Sequence, residues 1–251
     1  MMVVQNIRKH FGGLTALDGV SFEVSQGTIT SVIGPNGAGK TTLFNIVSGL
    51  LPPTAGTITF QGVDVTGWPP HRIARAGLSR TFQNIQLFPT LNALENVIAA
   101  RCCRTHSNLL EALLFLPRDR RDRRRSREMA EELLVWVGIA EHRFLMPREL
   151  PYGDQRRLEI ARALATEPAL LMLDEPTAGM SHLEAQDLMG LVGRLKERGT
   201  TILLIEHNMH LVMSHSDKIV VLNFGKKIAE GSTAAIQTNP EVIEAYLGVE
   251  A

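Results

Sequence analysis

A glycine-rich stretch near the amino end is the feature that most constrains the fold of this chain. Residues 34–42, Gly-Pro-Asn-Gly-Ala-Gly-Lys-Thr-Thr, follow the pattern G-x-x-x-x-G-K-[ST] of a phosphate-binding loop. The preceding residues 28–33 are β-branched and apolar, which predicts a buried strand, and residues 43–49 predict a helix that ends at a glycine. Strand, loop and helix are the context that the motif needs, so the stretch predicts a phosphate site in an α/β fold.

The residue types of this loop explain how it would hold a phosphate. Glycines allow a tight turn whose N–H groups point inward, and the start of the helix adds unsatisfied donors and a positive dipole end. Lys40 would supply a mobile positive charge for the outer phosphates, and the Thr41 hydroxyl would ligate Mg²⁺. The candidate phosphate-binding residues are Gly34, Pro35, Asn36, Gly37, Ala38, Gly39, Lys40, Thr41 and Thr42.

Composition limits the class of protein. The 251 residues suffice for one large domain or two small ones, and 44% of them are hydrophobic, enough for a substantial core. A net formal charge of zero gives no overall bias toward nucleic acid or a membrane surface. No apolar run approaches bilayer length and the first residues lack a secretory pattern, so we expect a cytosolic protein or one held at the cytosolic face by partners. The adjacent Cys102 and Cys103 are interpreted as reduced thiols.

Two later apolar runs end in polar residues. Residues 170–173 lead into Asp174 and Glu175, and residues 200–205 are followed closely by His207. Both runs are typical of parallel strands buried on both faces, and functional residues collect at the carboxyl ends of such strands. Beside a phosphate loop, the two acids suggest Mg²⁺ binding and water activation, with a pair of helix-capping acids as the alternative. The histidine would contact an outer phosphate, or else be a satisfied core residue.

Other stretches predict local structure and leave their roles open. Phe11, in a polar and glycine-rich turn, would either offer a flat face to a base or staple a core edge. Residues 92–100 predict a helix, and an irregular insert follows from about residue 105 to residue 127. The insert ends in a basic run, residues 118–125, that either forms a solvated face or contacts an acidic partner or lipid headgroups.

Taken together, the motifs resemble those of the ATP-binding cassette (ABC) ATPases, in the same order and over nearly the whole chain. The matching positions are Phe11 for the aromatic that stacks on adenine, Lys40 and Thr41 in Walker A, Gln83 in the Q-loop, Tyr152, Gly153, Asp154 and Gln155 in the signature, Asp174 and Glu175 in Walker B, and His207 as the switch histidine.

The resemblance implies a fold and a division of the chain. The fold would be a P-loop (RecA-like) nucleotide-binding domain with an antiparallel β subdomain and an α-helical subdomain. Residues 1–251 would form a single ABC ATPase domain. Residues 1–88 and 158–251 would make the nucleotide-binding core with its β subdomain, and residues 89–157 the helical and signature subdomain.

The resemblance also implies roles and cofactors. The cofactors would be ATP and Mg²⁺, with the metal held by Thr41, Gln83 and Asp174. Glu175 would polarise the attacking water, His207 would steady the γ-phosphate, and Gln83 would be the third catalytic residue. The loop and Phe11 would bind ATP, which the signature stretch of a second ATPase subunit would cover.

A finer resemblance is to the ATP-binding subunits of branched-chain amino acid importers. It is carried by residues 152–162, residues 80–84, Ile205-Glu206-His207-Asn208-Met209 and the tail Ala245-Tyr246-Leu247-Gly248. It implies a peripheral protein at the cytosolic face of the cell (inner) membrane. Its partners would be a second ABC ATPase subunit in a hetero- or homodimer, integral membrane permease subunits and, indirectly, an extracytoplasmic solute-binding protein.

Alternatives to this function come from the same family. Urea and short-amide importers have very similar subunits. A soluble ABC ATPase that acts on nucleic acid through the arginine run is a rival of another class, but such proteins usually hold two cassettes or a long coiled coil. No nucleic acid is therefore expected, and a GTPase is disfavoured because no Asn-Lys-x-Asp stretch is present.

Two departures from the family pattern concern the subunit interface. Pro151 stands where the signature usually has a serine, with Tyr152-Gly153 in place of a Gly-Gly pair, and residues 178–182 lack the usual aspartate. Because a proline supplies neither a hydroxyl nor an N–H, we expect this chain to close weakly on itself and to work beside a different ATPase subunit.

Overall fold

The structure is a computed structural model that describes residues 1–104 and 117–247, with the backbone alone at 117–119 and 247. The chain forms two compact units, Met1–Arg80 with Ala169–Ala251, and Thr81–Pro168. The functional subdomain bounds of 1–88, 89–157 and 158–251 stay a prediction. No helix within these described ranges is long and apolar enough to cross a membrane.

In the described parts of the chain, all of the strands lie in the first unit. They are β1 Met2–Phe11, β2 Leu14–Val24, β3 Ile29–Ile33, β4 Ala55–Phe60, β5 Val63–Asp64, β6 Leu78–Arg80, β7 Leu170–Asp174, β8 Thr201–Ile205, β9 Lys218–Asn223 and β10 Lys226–Gly231. A four-stranded antiparallel sheet has the order β2-β1-β4-β5, and a six-stranded sheet has the order β10-β9-β3-β8-β7-β6. The described chain thus contains the predicted antiparallel sheet and the predicted parallel core.

The helices belong to both units. They are α1 Lys40–Val47, α2 Pro70–Ala76, α3 Ala93–Ala100, α4 Pro117–Val137, α5 Tyr152–Ala165, α6 His182–Glu197, α7 Met209–His215, α8 Thr233–Gln237 and α9 Pro240–Leu247. Helices α3, α4 and α5 lie in the second unit, and the others lie in the first. The Ser181 and Glu184 side chains form a capping box that starts α6.

The register of the six-stranded sheet brings three strand ends to one edge. Strands β3, β8 and β7 run parallel, and every residue in them is buried, as their continuous apolar sequences predict. Val32 of β3 lies opposite Ile205 of β8, which in turn lies opposite Asp174 of β7. The residues that follow these three positions therefore leave the sheet side by side.

Both faces of this sheet are covered, which fixes the register. Val32 packs into a cluster with Phe44 of α1 and Val4 of the antiparallel sheet. The next residue, Ile33, points to the opposite face and packs with Val212 of α7. Since side chains alternate along a strand, a slip of one residue would exchange these two sets, and the buried pattern would be lost.

The predicted irregular insert is wrong from residue 117 onward, where helix α4 begins; residues 105–116 lie outside the described residues. Arginine is a good helix former, and Arg124 and Arg127 pair with the acids one turn ahead, at 2.7 Å and 3.0 Å. The buried Ala130 and Leu134 lie at helical spacing on the packed side. Paired and exposed arginines favour the solvated-face interpretation of the basic run.

Candidate functional site

The glycine-rich loop joins β3 to α1, and two of its glycines have no room for a side chain. Gly34 has φ 152° and Gly39 has φ 100°. A Cβ on Gly34 would lie 2.1 Å from the Leu222 carbonyl oxygen, and one on Gly39 would lie 2.7 Å from both the Ala16 carbonyl oxygen and Leu17 Cδ2. The loop is thus pressed against β2 and β9, and only glycine allows this approach.

Lys40 is the first residue of α1 and is 6% exposed. Its Nζ donates to the carbonyl oxygens of Gly34 at 2.6 Å and Pro35 at 3.0 Å, so the ammonium lies inside the loop. Burial lowers the pKa of Lys40, while the nearby carboxylates of Glu175 and Asp174 oppose that lowering. The result is a cation held where it can exchange loop carbonyls for phosphate oxygens.

Asp174 ends β7 and is held by a buried arginine that the sequence analysis missed. Arg80 Nη2 lies 2.7 Å from Asp174 Oδ2, and their side chains are 6% and 4% exposed. Arg80 Nη1 also donates to Asn45 Oδ1 of α1 and to Oγ of its C-cap residue Ser48, both at 2.8 Å. An arginine inside a short, buried strand needs an acid partner, and that need is the signal by which Arg80 could have been found.

Glu175 and His207 meet at the ends of β7 and β8, as their positions after two parallel strands predict. Glu175 leaves its strand with φ 47°, and its N–H donates to the Ile205 carbonyl at 3.0 Å. Its Oε1 contacts His207 Nε2, with the carboxylate side chain 10% exposed and the imidazole 48% exposed. A buried carboxylate against an accessible imidazole is suited to accept and hold a proton beside a phosphate.

The oxygen ligands at this edge suit Mg²⁺. Thr41 is exposed in the first turn of α1, and only Oδ2 of Asp174 accepts from Arg80, so Oδ1 is available to a cation or its water. In the described parts of the chain, no group of three or more His, Cys, Asp or Glu residues could hold a metal. Mg²⁺ does not require such a group, because it is usually held by one or two carboxylates, waters and substrate phosphates.

Gln83 and the signature stretch lie in the other unit, 81–168. There the 3% exposed Arg156 joins the two motifs: Nη1 donates to the Phe82 carbonyl at 2.9 Å, and Nη2 donates to the Gln83 carbonyl and to the Tyr152 hydroxyl. Glu159 accepts from Arg156 at 3.1 Å. Arg156 therefore ties the Q-loop backbone to helix α5, a link that the signature pattern alone did not reveal.

The signature residues begin helix α5. Pro151 is the N-cap, with no side-chain cap, and its carbonyl accepts from the N–H groups of Asp154 and Gln155 at 3.0 Å. Asp154 lies in the first turn, where the helix dipole favours an acid, and its Oδ2 is 2.7 Å from His142 Nδ1. Tyr152 is 42% exposed. The roles predicted for these residues, Gly153 included, stay predictions.

The first unit thus collects the candidates from the loop, β7 and β8 at one sheet edge. Phe11 lies elsewhere in that unit, at the end of β1, where it is 45% exposed and Lys9 Nζ lies 5.1 Å from its ring centroid. Its predicted stacking on adenine stays a prediction. So does the part of Gln83 in holding a metal, because Gln83 belongs to the other unit.

A phosphate loop followed by two strand-end carboxylates and a histidine on a parallel sheet defines a P-loop nucleotide-binding protein. The chain belongs to the ABC transporter family, whose model, "ABC transporter", matches residues 17–178. A second model, "Branched-chain amino acid ATP-binding cassette transporter", matches residues 226–251. The fold class, the family and the ATPase activity predicted from the motifs are confirmed.

Similar curated proteins match over almost their whole length. The high-affinity branched-chain amino acid transport ATP-binding protein BraF of Pseudomonas aeruginosa is 46% identical over 249 residues, which are 99% of this chain and 98% of BraF. The LivG protein of the same description from Escherichia coli K12 is 44% identical over the same shares.

Solved structures also match. The ADP conformation of MJ1267, an ATP-binding cassette of an ABC transporter, has a TM-score of 0.84 and 34% identity, covering 99% of this chain and 98% of that chain. A dimeric bacterial ABC transporter cassette, MJ0796, has a TM-score of 0.79 and 25% identity, covering 93% and 99%.

The pairing of Arg80 with Asp174 generates a stability prediction. Arg80→Met leaves a buried carboxylate without its cation, so it should lower the free energy of unfolding by about 3–5 kcal/mol. Lys196→Met is the control, because its partner Asp217 is equally exposed at 35%, and an exposed pair contributes about 0–1 kcal/mol. Urea unfolding of the chain without nucleotide measures both. If both variants lost the same free energy of unfolding, the buried Arg80–Asp174 pair would contribute no more to stability than the exposed pair.

Proposed function

We propose that this chain is the ATPase subunit of an importer of branched-chain amino acids and works at the cytosolic face of a membrane. The observation that supports ATP-driven work is the convergence of Lys40, Asp174 and the Glu175–His207 pair at one sheet edge. The amino acid substrate rests on the relatives, since BraF and LivG carry that description and match over nearly the full length.

In this proposal the loop binds the phosphates of ATP. The N–H groups of the loop, which every residue from 34 to 42 except Pro35 carries, would bind the phosphate chain, and Lys40 would move from the Gly34 and Pro35 carbonyls to the outer phosphates. Thr41 and Asp174 would hold Mg²⁺, and the bound metal would supply positive charge that offsets the charge of the phosphates. Arg80 keeps one oxygen of Asp174 engaged and so fixes the direction of the other.

Glu175 is the proposed general base. Its carboxylate is mostly buried and lies against the accessible imidazole of His207, where it would take a proton from the attacking water. His207 bonds the same carboxylate through Nε2 and presents an accessible ring at the strand end, where it would steady the γ-phosphate. Hydrolysis then requires that Glu175 contacts the attacking water while His207, still bonded to Glu175, contacts the outer phosphate.

The proposed partners are a second ATPase subunit and membrane permease subunits, with a solute-binding protein acting on the permease. The dimeric structure of the similar cassette MJ0796 supports pairing of two cassettes. The rival that binds nucleic acid through the arginine run is not favoured, because Arg124 and Arg127 are engaged by acids of their own helix. Urea and short amides remain the alternative solutes.

Two matched variants separate binding from hydrolysis. Lys40→Ala removes a charge-assisted contact of about 1.5–3 kcal/mol and should weaken ATP binding at least about tenfold. Glu175→Gln keeps the shape but removes the base, so ATP binding should stay normal while hydrolysis falls about a hundredfold or more. Titration calorimetry and phosphate release measure the two effects. Parent-like hydrolysis by Glu175→Gln would place the base elsewhere.

The proline at the signature generates a prediction about assembly. In the Glu175→Gln background, the chain with Mg-ATP should be mostly monomeric, because Pro151 offers no hydroxyl or N–H to a phosphate of the facing subunit. Adding Pro151→Ser should tighten ATP-driven dimerisation in analytical ultracentrifugation, whereas Pro89→Ser, at an exposed loop proline of the same unit, should not. A tight homodimer that Pro151→Ser leaves unchanged would contradict the expected need for a different subunit.

Reconstitution tests the function itself. The chain, its co-purifying ATPase and permease subunits and the solute-binding protein are placed in lipid vesicles with ATP. Uptake of leucine, isoleucine or valine that is lost with Glu175→Gln is the expected result. Uptake of urea or a short amide instead would contradict the proposed substrate but not the proposed role as a transporter ATPase. ATP hydrolysis stimulated by nucleic acid and not by the permease would contradict both the substrate and the transport role.

A further inference from the structure

Glu206 is a buried acid that the ATPase motifs leave without a role. It lies between strand β8 and His207, and it is 4% exposed. Its Oε1 accepts from the N–H of Thr177 at 3.0 Å and from the Thr177 hydroxyl at 2.6 Å. Its Oε2 accepts from the His207 N–H at 3.1 Å.

These three donors are all neutral. Within the described residues, Glu206 takes part in no ion pair with a lysine, arginine or histidine side chain. A carboxylate is the side chain that can accept all three bonds at once, because both of its oxygens are acceptors. A glutamine of the same shape would turn an N–H₂ donor toward one of these donors. The charge is therefore used to hold two separate pieces of backbone.

Those two pieces carry the proposed base and its histidine. Thr177 lies two residues after Glu175, and the other donor belongs to His207 itself. The turn between them is also closed by the Glu175 N–H on the Ile205 carbonyl at 3.0 Å and by the Ala178 N–H on the Glu175 carbonyl at 3.1 Å. Glu206 thus fastens the segment after β7 to the segment after β8, beyond the last paired residues of the sheet.

We propose that Glu206 is a positioning residue for ATP hydrolysis, which sets the contact between Glu175 and His207 without touching the nucleotide. This inference rests on the proposed roles of those two residues. Glu175 leaves its strand in the left-handed region, a conformation that a non-glycine residue keeps only when its surroundings fix it. The bonds from Glu206 to Thr177 and His207 supply that constraint on both sides of the pair.

The test is Glu206→Gln in the full chain, assembled with its transporter. Because a displacement of about 1 Å in a catalytic group can cost about a hundredfold, we expect kcat to fall about 10- to 100-fold. The Kd for ATP, measured by calorimetry, should stay within about twofold, since the phosphate loop makes no bond to Glu206 and only chemistry is affected. NMR of the His207 ring should show loss of the single hydrogen-bonded state held by Glu175.

Matched variants keep the outcome interpretable. Thr177→Ser retains both donors and should keep the parent kcat, while Thr177→Val loses the hydroxyl and should reproduce part of the loss. Glu230→Gln makes the same change at an acid of β10 that pairs with Lys218 of β9 and Lys227 of β10, and it should leave kcat unchanged. If Glu206→Gln does not fold, the two Thr177 variants decide the question alone.

Two results would overturn the inference. A parent-like kcat in Glu206→Gln would show that the hydrogen bonds of Glu206 do not control the reaction. If Glu206→Gln does not fold, a parent-like kcat in Thr177→Val would show the same. An equal loss of kcat and ATP affinity, with an unchanged His207 signal, would show a general structural role. Failure of the proposed base itself is seen separately, as undiminished hydrolysis by Glu175→Gln.

Discussion

The parallel register of β3, β8 and β7 is the constraint on which the rest of this structure depends. Because Val32, Ile205 and Asp174 lie in one row across the sheet, the chain leaves all three strands at the same edge. The phosphate loop, Glu175 and His207 follow within a few residues of that row. Apolar burial on both faces holds the register, so packing far from the nucleotide determines the geometry of its site.

Buried charge is the second organising element, and each charged group at the edge has a particular use. Arg80 pairs with Asp174 and connects it to Asn45 of α1, the helix that follows the phosphate loop. Lys40 is satisfied by loop carbonyls that phosphates can replace. Glu206 accepts hydrogen bonds from two backbone N–H groups and from the Thr177 hydroxyl. The Glu175–His207 pair keeps an accessible side, because the His207 ring is 48% exposed.

The sequence predicted what depends on neighbours along the chain and missed what depends on distant partners. The loop, its flanking strand and helix, and the strand-end residues Asp174, Glu175 and His207 follow from local patterns, and the structure places them as expected. The buried contacts of Arg80 with Asp174 and of Glu206 with Thr177 were not predicted. These partners are 94 and 29 positions apart in the sequence, and no local sequence pattern predicts such a bond. The prediction of an irregular insert up to residue 127 is wrong for residues 117–127, because the arginine run that begins this helix lacks apolar residues at helical spacing.

We propose that this sheet edge binds Mg-ATP for hydrolysis. X-ray diffraction can test this by locating the bound nucleotide and metal. Crystals of the Glu175→Gln chain grown with ATP and Mn²⁺ in place of Mg²⁺ would locate the metal by its anomalous signal. We expect one anomalous density peak beside the Thr41 hydroxyl and Asp174. Lys40 should contact the outer phosphates, and Arg80 should still be bound to Asp174 Oδ2. A metal or nucleotide bound away from the loop of residues 34–42 would contradict it.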